Sequence, residues 1–304
     1  MPWTGGAGTS RSCCWISPAI SPEERLVLWH AAPVPPVVDL AWVESSRYAI
    51  MLADVRWYLD HRSGRAAFEQ GHLPGAVFVD LDRRLSGEAS PGEGRHPLPD
   101  PEMFAAGMAA LGIGDDDVVV AYDDAGGVIA ARLVWMLRST GHDAALLDGG
   151  LQAYRGDLER VEVARAPAVF TPRRWPTALL ADIDDAAAGL DVVLDARNRD
   201  RFRGDPDPVD PRSGHIPGAR NVPCRENLDE DGRFLPIAEL RRKFARAGVT
   251  ENSRVVSYCG SGVTACHNLL ALEHAGLGAG RLYPGSWSQY SHATERPVAL
   301  GGDE

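Results

Sequence analysis

The apolar positions of this chain fall into two kinds of run. Short stretches are apolar at consecutive positions, as in Val118-Val119-Val120 and Val192-Val193-Leu194, a pattern that fits strands buried on both faces of a parallel sheet. Longer stretches repeat at helical spacing. Residues 128–138 set Ile129, Leu133, Met136 and Leu137 on one face, and Gly141 follows as a residue suited to the left-handed turn that ends a helix. Alternation of the two patterns predicts α/β domains of the doubly wound class, each a parallel sheet flanked by helices. The chain has 304 residues, enough for two such domains. No run of roughly 18 apolar residues is present to span a bilayer.

The pattern occurs twice. Leu52-Ala53-Asp54-Val55-Arg56 is echoed by Val193-Leu194-Asp195-Ala196-Arg197, and Gly71-His72-Leu73-Pro74-Gly75-Ala76 by Gly214-His215-Ile216-Pro217-Gly218-Ala219. Further on, residues 118–122 answer 254–258, and Asp148-Gly149-Gly150-Leu151-Gln152-Ala153-Tyr154 answers Pro284-Gly285-Ser286-Trp287-Ser288-Gln289-Tyr290. Matched blocks in one order are the signature of a duplicated domain. The expected division is a loose extension over residues 1–36, a first domain over 37–155, an Arg- and Pro-rich connector over 156–176, and a second domain over 177–304.

Composition narrows the chemistry. A net charge of -11 argues against nonspecific nucleic-acid binding, which needs a concentrated basic face. Lys243 is the only lysine, so the chain has no phosphate-binding loop of the G-x-x-x-x-G-K-[ST] type. Schiff-base chemistry would have to use the same Lys243, whose neighbours over residues 241–246 read as a solvated helix face. Five cysteines (Cys13, Cys14, Cys224, Cys259, Cys266) are too few and too unevenly spread for a disulfide framework. Without a basic start and an apolar core at the N-terminus, the expectation is a reducing, cytoplasmic setting.

The informative positions are those where the copies differ. After Tyr122 the first copy continues Asp123-Asp124-Ala125-Gly126-Gly127; after Tyr258 the second continues Cys259-Gly260-Ser261-Gly262-Val263-Thr264. Cys259 stands at the end of a buried strand and before a helix, where α/β folds bind ligands. Gly260 and Gly262 can take positive φ and turn backbone N–H groups inward, and the helix N-terminus adds its positive end, so the loop favours an anionic, nucleophilic sulfur. Cysteine phosphatases share such a loop but need an arginine six places after the cysteine. Ala265 stands there, which disfavours phosphate ester hydrolysis.

The duplicated Gly-His-[Leu/Ile]-Pro-Gly-Ala block and the Cys259-Gly260-Ser261-Gly262-Val263-Thr264-Ala265 loop resemble those of the two-domain rhodanese-type sulfurtransferases, over about residues 37–298. The resemblance implies a ping-pong transfer in which the loop cysteine takes sulfur from a donor, becomes a persulfide and passes the sulfur on. Loops of the thiosulfate-using branch carry basic residues after the cysteine; Gly260 and Ser261 instead resemble the 3-mercaptopyruvate-using branch. In that branch a serine, a histidine and an aspartate cooperate, and these roles fall on Ser261, His96 (in His96-Pro97-Leu98-Pro99) and Asp82 (in Phe78-Val79-Asp80-Leu81-Asp82). The stretch between Asp82 and His96 is a few residues longer than is common in the family. Binding of the donor carboxylate falls on Arg201 and on Arg212, with Gly260, Gly262, Val263 and Thr264 shaping the loop. The implied partners are a small sulfur donor and a thiol, thioredoxin or cyanide acceptor, without nucleic acid or membrane. No cofactor or metal is implied.

Other residues receive structural expectations. His72 and His215 occur in both copies, including the one without a cysteine, which points to the scaffold. Cys266 shares a helical stripe with Val263, Leu269 and Leu270 and reads as core. Cys13 and Cys14 make only a weak metal claim, and Trp287 is expected to wall the cleft or pack the domain interface. Two alternatives stay open: thiosulfate as donor, and a carrier that hands on persulfide made elsewhere.

Overall fold

The computed structural model describes residues 1, 34–46, 49–206 and 208–302; Cys13 and Cys14 lie outside them. Strands β1 (Val37–Val38), β2 (Ile50–Asp54), β3 (Val77–Phe78), β4 (Val118–Tyr122) and β5 (Ala144–Leu147) form one parallel sheet in the order β1-β5-β4-β2-β3. Strands β6 (Val192–Asp195), β7 (Arg220–Asn221), β8 (Val255–Tyr258) and β9 (Arg281–Leu282) form a second in the order β7-β6-β8-β9. The orders agree when β3-β2-β4-β5 is laid on β7-β6-β8-β9, and a lone parallel bridge between Leu180 and Leu282 stands where β1 stands in the first sheet. Register repeats as well: Asp54 pairs with Tyr122, and Asp195 with Tyr258. Asp123 and Cys259 therefore leave their sheets at equivalent points.

Consecutive apolar residues do fill both faces of a strand. Val119 and Ala121 belong to one cluster, and Val118, Val120 and Tyr122 to another. The first cluster is common to both halves. It contains Leu133 and Leu137 of the helix Ala131–Ser139 together with Leu269 and Leu270 of the helix Ala265–His274, and these two helices pack against each other. Each such side chain contributes about 1.5–3 kcal/mol when fully buried, so a continuous core holds the halves together.

The repeated motifs are scaffold. Arg56 and Arg197 form buried ion pairs with Asp54 and Asp195 and donate to the carbonyls of Gly71 and Gly214, respectively. His72 and His215 stack on Phe68 and Phe202, each with ring centroids 3.7 Å apart, and their Nδ1 atoms meet the carbonyls of the same two residues.

The structure corrects several expectations. The helix expected from residue 128 begins at Ala131, because the chain before it makes a tighter turn, with Arg132 N–H on the Ile129 carbonyl, while the Asp123 carboxylate caps the N–H groups of Ile129 and Ala130. Gly141 does adopt the left-handed conformation, with φ 79°. At the end of the presumed extension, Val34 is buried and the Pro36 carbonyl accepts from Leu146 N–H, so these residues belong to the fold. Residues 156–176 lie along the first half: Glu159 pairs with His72, and Trp175 Nε1 donates to the Pro99 carbonyl. Ala299 pairs with His215 in the same way, so each repeat unit includes a returning tail. On the helix Ile237–Arg246, Lys243 is not fully solvated; burial lowers its pKa to about 8, and Nζ lies 3.3 Å from the Pro223 carbonyl.

Candidate active site

Cys259 lies on a cleft of about 490 Å³ lined by both halves, with Trp57, Tyr58, Arg95 and Asp124 from the first and Arg197 and Arg201 from the second. Its side chain is buried, and its backbone is held at both ends: Cys259 N–H donates to Ser286 Oγ at 3.1 Å, and the Cys259 carbonyl accepts from Trp287 N–H at 2.9 Å. Ser288 N–H bonds the Gly260 carbonyl at 2.8 Å. Gly262 has φ 76°, and a Cβ there would meet the Pro284 carbonyl oxygen at 2.5 Å, so the turn requires glycine. Gly260 departs from the expectation of a left-handed residue and is not at positive φ. Its small size instead admits two guanidinium groups, Arg201 Nη1 and Arg95 Nη2, at 3.2 and 3.3 Å from where a Cβ would stand. Val263 and Thr264 line the cleft beside Ser261, while Gly262 is absent from its lining.

The structure brings Ser261, His96 and Asp82 together. His96 Nδ1 lies 2.8 Å from Ser261 Oγ, and Nε2 lies 3.3 Å from Asp82 Oδ1. Burial holds the imidazole below its ordinary pKa of 6.5 despite the pull of Asp82. Asp82 is held below the usual carboxylate value, first by its bond to His96 and also by Trp57 Nε1, which donates at 3.0 Å. The network assigns the proton of a neutral imidazole to Nε2, so that Nδ1 accepts from Ser261. Trp57 also meets His96 edge-on, with centroids 5.3 Å apart.

The longer stretch between Asp82 and His96 does not spoil this geometry, because it is docked on the second half. Arg95 N–H donates to Ser288 Oγ at 2.9 Å, and Gln289 Nε2 donates to the Gly92 carbonyl. A Cβ at Gly94 would meet the Gly285 carbonyl oxygen at 2.5 Å. A second tie is Arg132, fully buried, whose guanidinium donates to the carbonyls of Leu85, His96 and Gly262. One side chain thus joins the His96 segment to the Cys259 loop.

Arg201 lines the cleft, but Arg212 does not. Arg212 donates to the carbonyls of Tyr290, Ser291, Ala293 and Arg296, occupying nearly all its N–H groups in holding the end of the helix Ser286–Tyr290. Sequence reasoning overlooked Arg95, Arg132 and Trp57. Only Arg132 carried a signal, a charge inside the apolar run Ala130-Ala131-Arg132-Leu133-Val134. Trp287 is core, not cleft wall: it is fully buried, its Nε1 donates to the Arg212 carbonyl, and the Arg197 guanidinium lies 4.6 Å from its ring. Cys224 and Cys266 are also buried and unpaired, and burial pushes both thiols up to about 12, which leaves them protonated at neutral pH.

Comparison with known proteins places this geometry. The rhodanese-like domain family model matches residues 40–157 and 176–293. A Pseudomonas aeruginosa protein provisionally named as a 3-mercaptopyruvate sulfurtransferase is 43% identical over 264 residues, covering 83% of this chain and 93% of its own. A Mycobacterium tuberculosis protein provisionally named as a thiosulfate sulfurtransferase is 40% identical over 275 residues, covering 86% and 95%. The structure of 3-mercaptopyruvate sulfurtransferase from Leishmania major matches with a TM-score of 0.77 and 33% identity, covering 88% of this chain and 78% of that one. With two matched domains and a cysteine at the head of the second loop, the chain belongs to the rhodanese family as a tandem-domain sulfurtransferase that moves sulfane sulfur through a cysteine persulfide.

Proposed function

We propose that the donor is 3-mercaptopyruvate, that Cys259 carries the persulfide, and that a thiol such as thioredoxin, or cyanide, accepts the sulfur in a reducing, cytoplasmic setting. The observation that carries the donor assignment is the Ser261–His96–Asp82 relay beside Cys259. A donor that leaves as an enolate needs a proton moved to carbon, whereas thiosulfate leaves as sulfite and needs none. The Cys259 thiolate attacks the donor sulfur, the carbon–sulfur bond breaks, and its electron pair goes to the donor carbon. The thiol proton of the donor is taken through Ser261 by the neutral His96 and returned through Ser261 to that carbon, releasing pyruvate and leaving the Cys259 persulfide. Asp82 orients His96 and favours the transient imidazolium. Attack of cyanide or a thiolate on the outer sulfur then breaks the sulfur–sulfur bond and returns the electron pair to Cys259.

The cations along the cleft favour a second reading, thiosulfate as donor at the same cysteine. Steady-state turnover with each donor, using cyanide or dithiothreitol as acceptor, separates the two. Cys259→Ser is expected to lose turnover with both. Ser261→Ala is expected to lower kcat for 3-mercaptopyruvate on the order of a hundredfold, within the range of acid–base catalysis, with little effect on thiosulfate. Equal losses on both donors, or a wild-type preference for thiosulfate, would remove the donor assignment.

A further inference from the structure

The two halves differ again just past their buried ion pairs. Arg56 and Arg197 occupy equivalent places, and the residues that follow them are Trp57 and Asn198. By the register of the sheets Phe78 stands where Asn221 stands, which sets Asp82 against Arg225 in the short helices Leu81–Arg84 and Cys224–Asn227. The half that supplies the relay thus carries a tryptophan and a carboxylate where the other carries an asparagine and an arginine. The tryptophan and the carboxylate meet. Trp57 Nε1 donates to Asp82 Oδ2 at 3.0 Å, and Oδ1 is left to face His96 Nε2 at 3.3 Å.

The Asp82 side chain is 59% exposed and that of His96 only 7%, so the carboxylate that orients the imidazole stands largely in water. The terminal torsion of an aspartate is broad, and a carboxylate so placed turns freely unless a second group holds it. Burial opposes a charge on His96, as do Arg132 and Arg95, and Asp82 favours one, so the relay depends on where this carboxylate points. Trp57 and Ser261 line the cleft, whereas His96 and Asp82 do not, and the Trp57 ring stands edge-on to the imidazole.

We infer that Trp57 is a positioning residue for the relay. Its N–H fixes the Asp82 carboxylate, which in turn fixes the tautomer and direction of His96, and its ring covers the imidazole on the cleft side, leaving Ser261 as the relay's contact with the donor. The inference rests on the reading of the relay as the proton path for 3-mercaptopyruvate.

The test pairs kinetics with the state of His96 in the resting protein. Trp57→Phe keeps a ring on the cleft and removes the N–H. It is expected to lower kcat for 3-mercaptopyruvate on the order of tenfold, the scale of one hydrogen bond to a charged group, with KM changed by less than about twofold. In an Asp82→Asn background the same change is expected to lower kcat by less than about twofold, because its effect passes through the carboxylate. In nitrogen NMR spectra of the imidazoles, the His96 signals are assigned by their loss in His96→Gln. They are expected to show the Nε2–H tautomer in wild type and a mixture of tautomers in Trp57→Phe, while the other histidines report that the variant keeps its fold. Equal losses of kcat in the two backgrounds, or a raised KM with kcat unchanged, would mean that the indole acts on the donor directly and would overturn the inference. An unchanged His96 tautomer in Trp57→Phe would overturn it as well. A wild-type preference for thiosulfate would remove the donor assignment alone, since the tautomer is read without any donor.

Discussion

The loops after β4 and β8 stand at equivalent points of the two halves, one holding a carboxylate and the other a thiol. Both turn at a left-handed glycine, Gly126 at φ 77° and Gly262 at φ 76°, and only the first repeats it at the next residue, Gly127 at φ 84°. In the first, Asp123 is fully buried and its two oxygens accept from the N–H groups of Ala125, Gly127, Ile129 and Ala130, at 2.7 to 2.9 Å. In the second, Cys259 takes the place of Asp123, and Ser261, Val263 and Ala265 take the places of Ala125, Gly127 and Ile129. The first copy displays what the backbone at this strand end can surround, a carboxylate held by backbone N–H groups. The difference teaches that the duplicated scaffold supplies the anion site and that the residue at its centre decides between a structural plug and a nucleophile. The Asp123 carboxylate closes its own loop by consuming the donors. A cysteine has one sulfur, reaches less far and leaves the cleft open beside it.

Converting the second loop into the first is the most drastic way to break this comparison. Cys259→Asp is expected to reduce sulfur transfer to background, since no nucleophilic sulfur remains, while leaving the unfolding free energy from urea denaturation within about 1 kcal/mol of wild type if the N–H groups of the loop receive the carboxylate as those around Asp123 do. A buried carboxylate without such donors would cost several kcal/mol. A collapse in stability would therefore show that the two loops are not electrostatic equivalents.

The reciprocal change acts on stability. Asp123→Ala leaves four N–H groups without their acceptor, and one unsatisfied buried donor costs about 1–3 kcal/mol, so a loss of roughly 3–5 kcal/mol is expected after partial relaxation. Equilibrium denaturation measures it. A loss below about 1 kcal/mol would mean that water replaces the carboxylate without penalty and that the first loop is not held by its anion.

The residues legible in the sequence are those whose meaning is local or repeated. Two matched series of blocks revealed the duplication, and the contrast between Asp123 and Cys259 within it singled out the reactive position. Ser261, His96 and Asp82 followed from a family pattern, and their convergence rests on the segment 86–95 docking on Gly285 and Ser288, a long-range contact that no spacing rule encodes. Arg95 was missed for that reason: it is adjacent to His96 in sequence, yet its guanidinium is held at the cleft by Asp210, 115 residues away. Arg212 was assigned to the donor because an arginine after an acidic, Pro-rich stretch fits the pattern. In the folded chain a helix end stands within reach and takes its donors. Gly260 illustrates a subtler error, for the sequence shows that a side chain is absent and not whether torsion or space requires it.

The smallest change that sharpens the comparison lies at the second strand-end turn. Gly150 of the first copy has φ 54°, and its counterpart Ser286 has φ 52°, a conformation that glycine adopts freely and serine does not. The second copy therefore tolerates backbone strain, on the order of 1 kcal/mol, where the first avoids it. What the serine adds is its hydroxyl, which accepts from Cys259 N–H at 3.1 Å and donates to the Tyr283 carbonyl at 2.8 Å. Ser286→Gly restores the first copy's residue, relieving strain and losing about one hydrogen bond, so the stability change is expected to stay within about 1 kcal/mol. The rate of persulfide formation, read as pyruvate released in a single turnover, is expected to fall a few-fold because the Cys259 backbone is less tightly held. If the variant gained stability and kept its single-turnover rate, the strain at Ser286 would have no part in positioning the sulfur, and the difference between the loops would reduce to Asp123 against Cys259 alone.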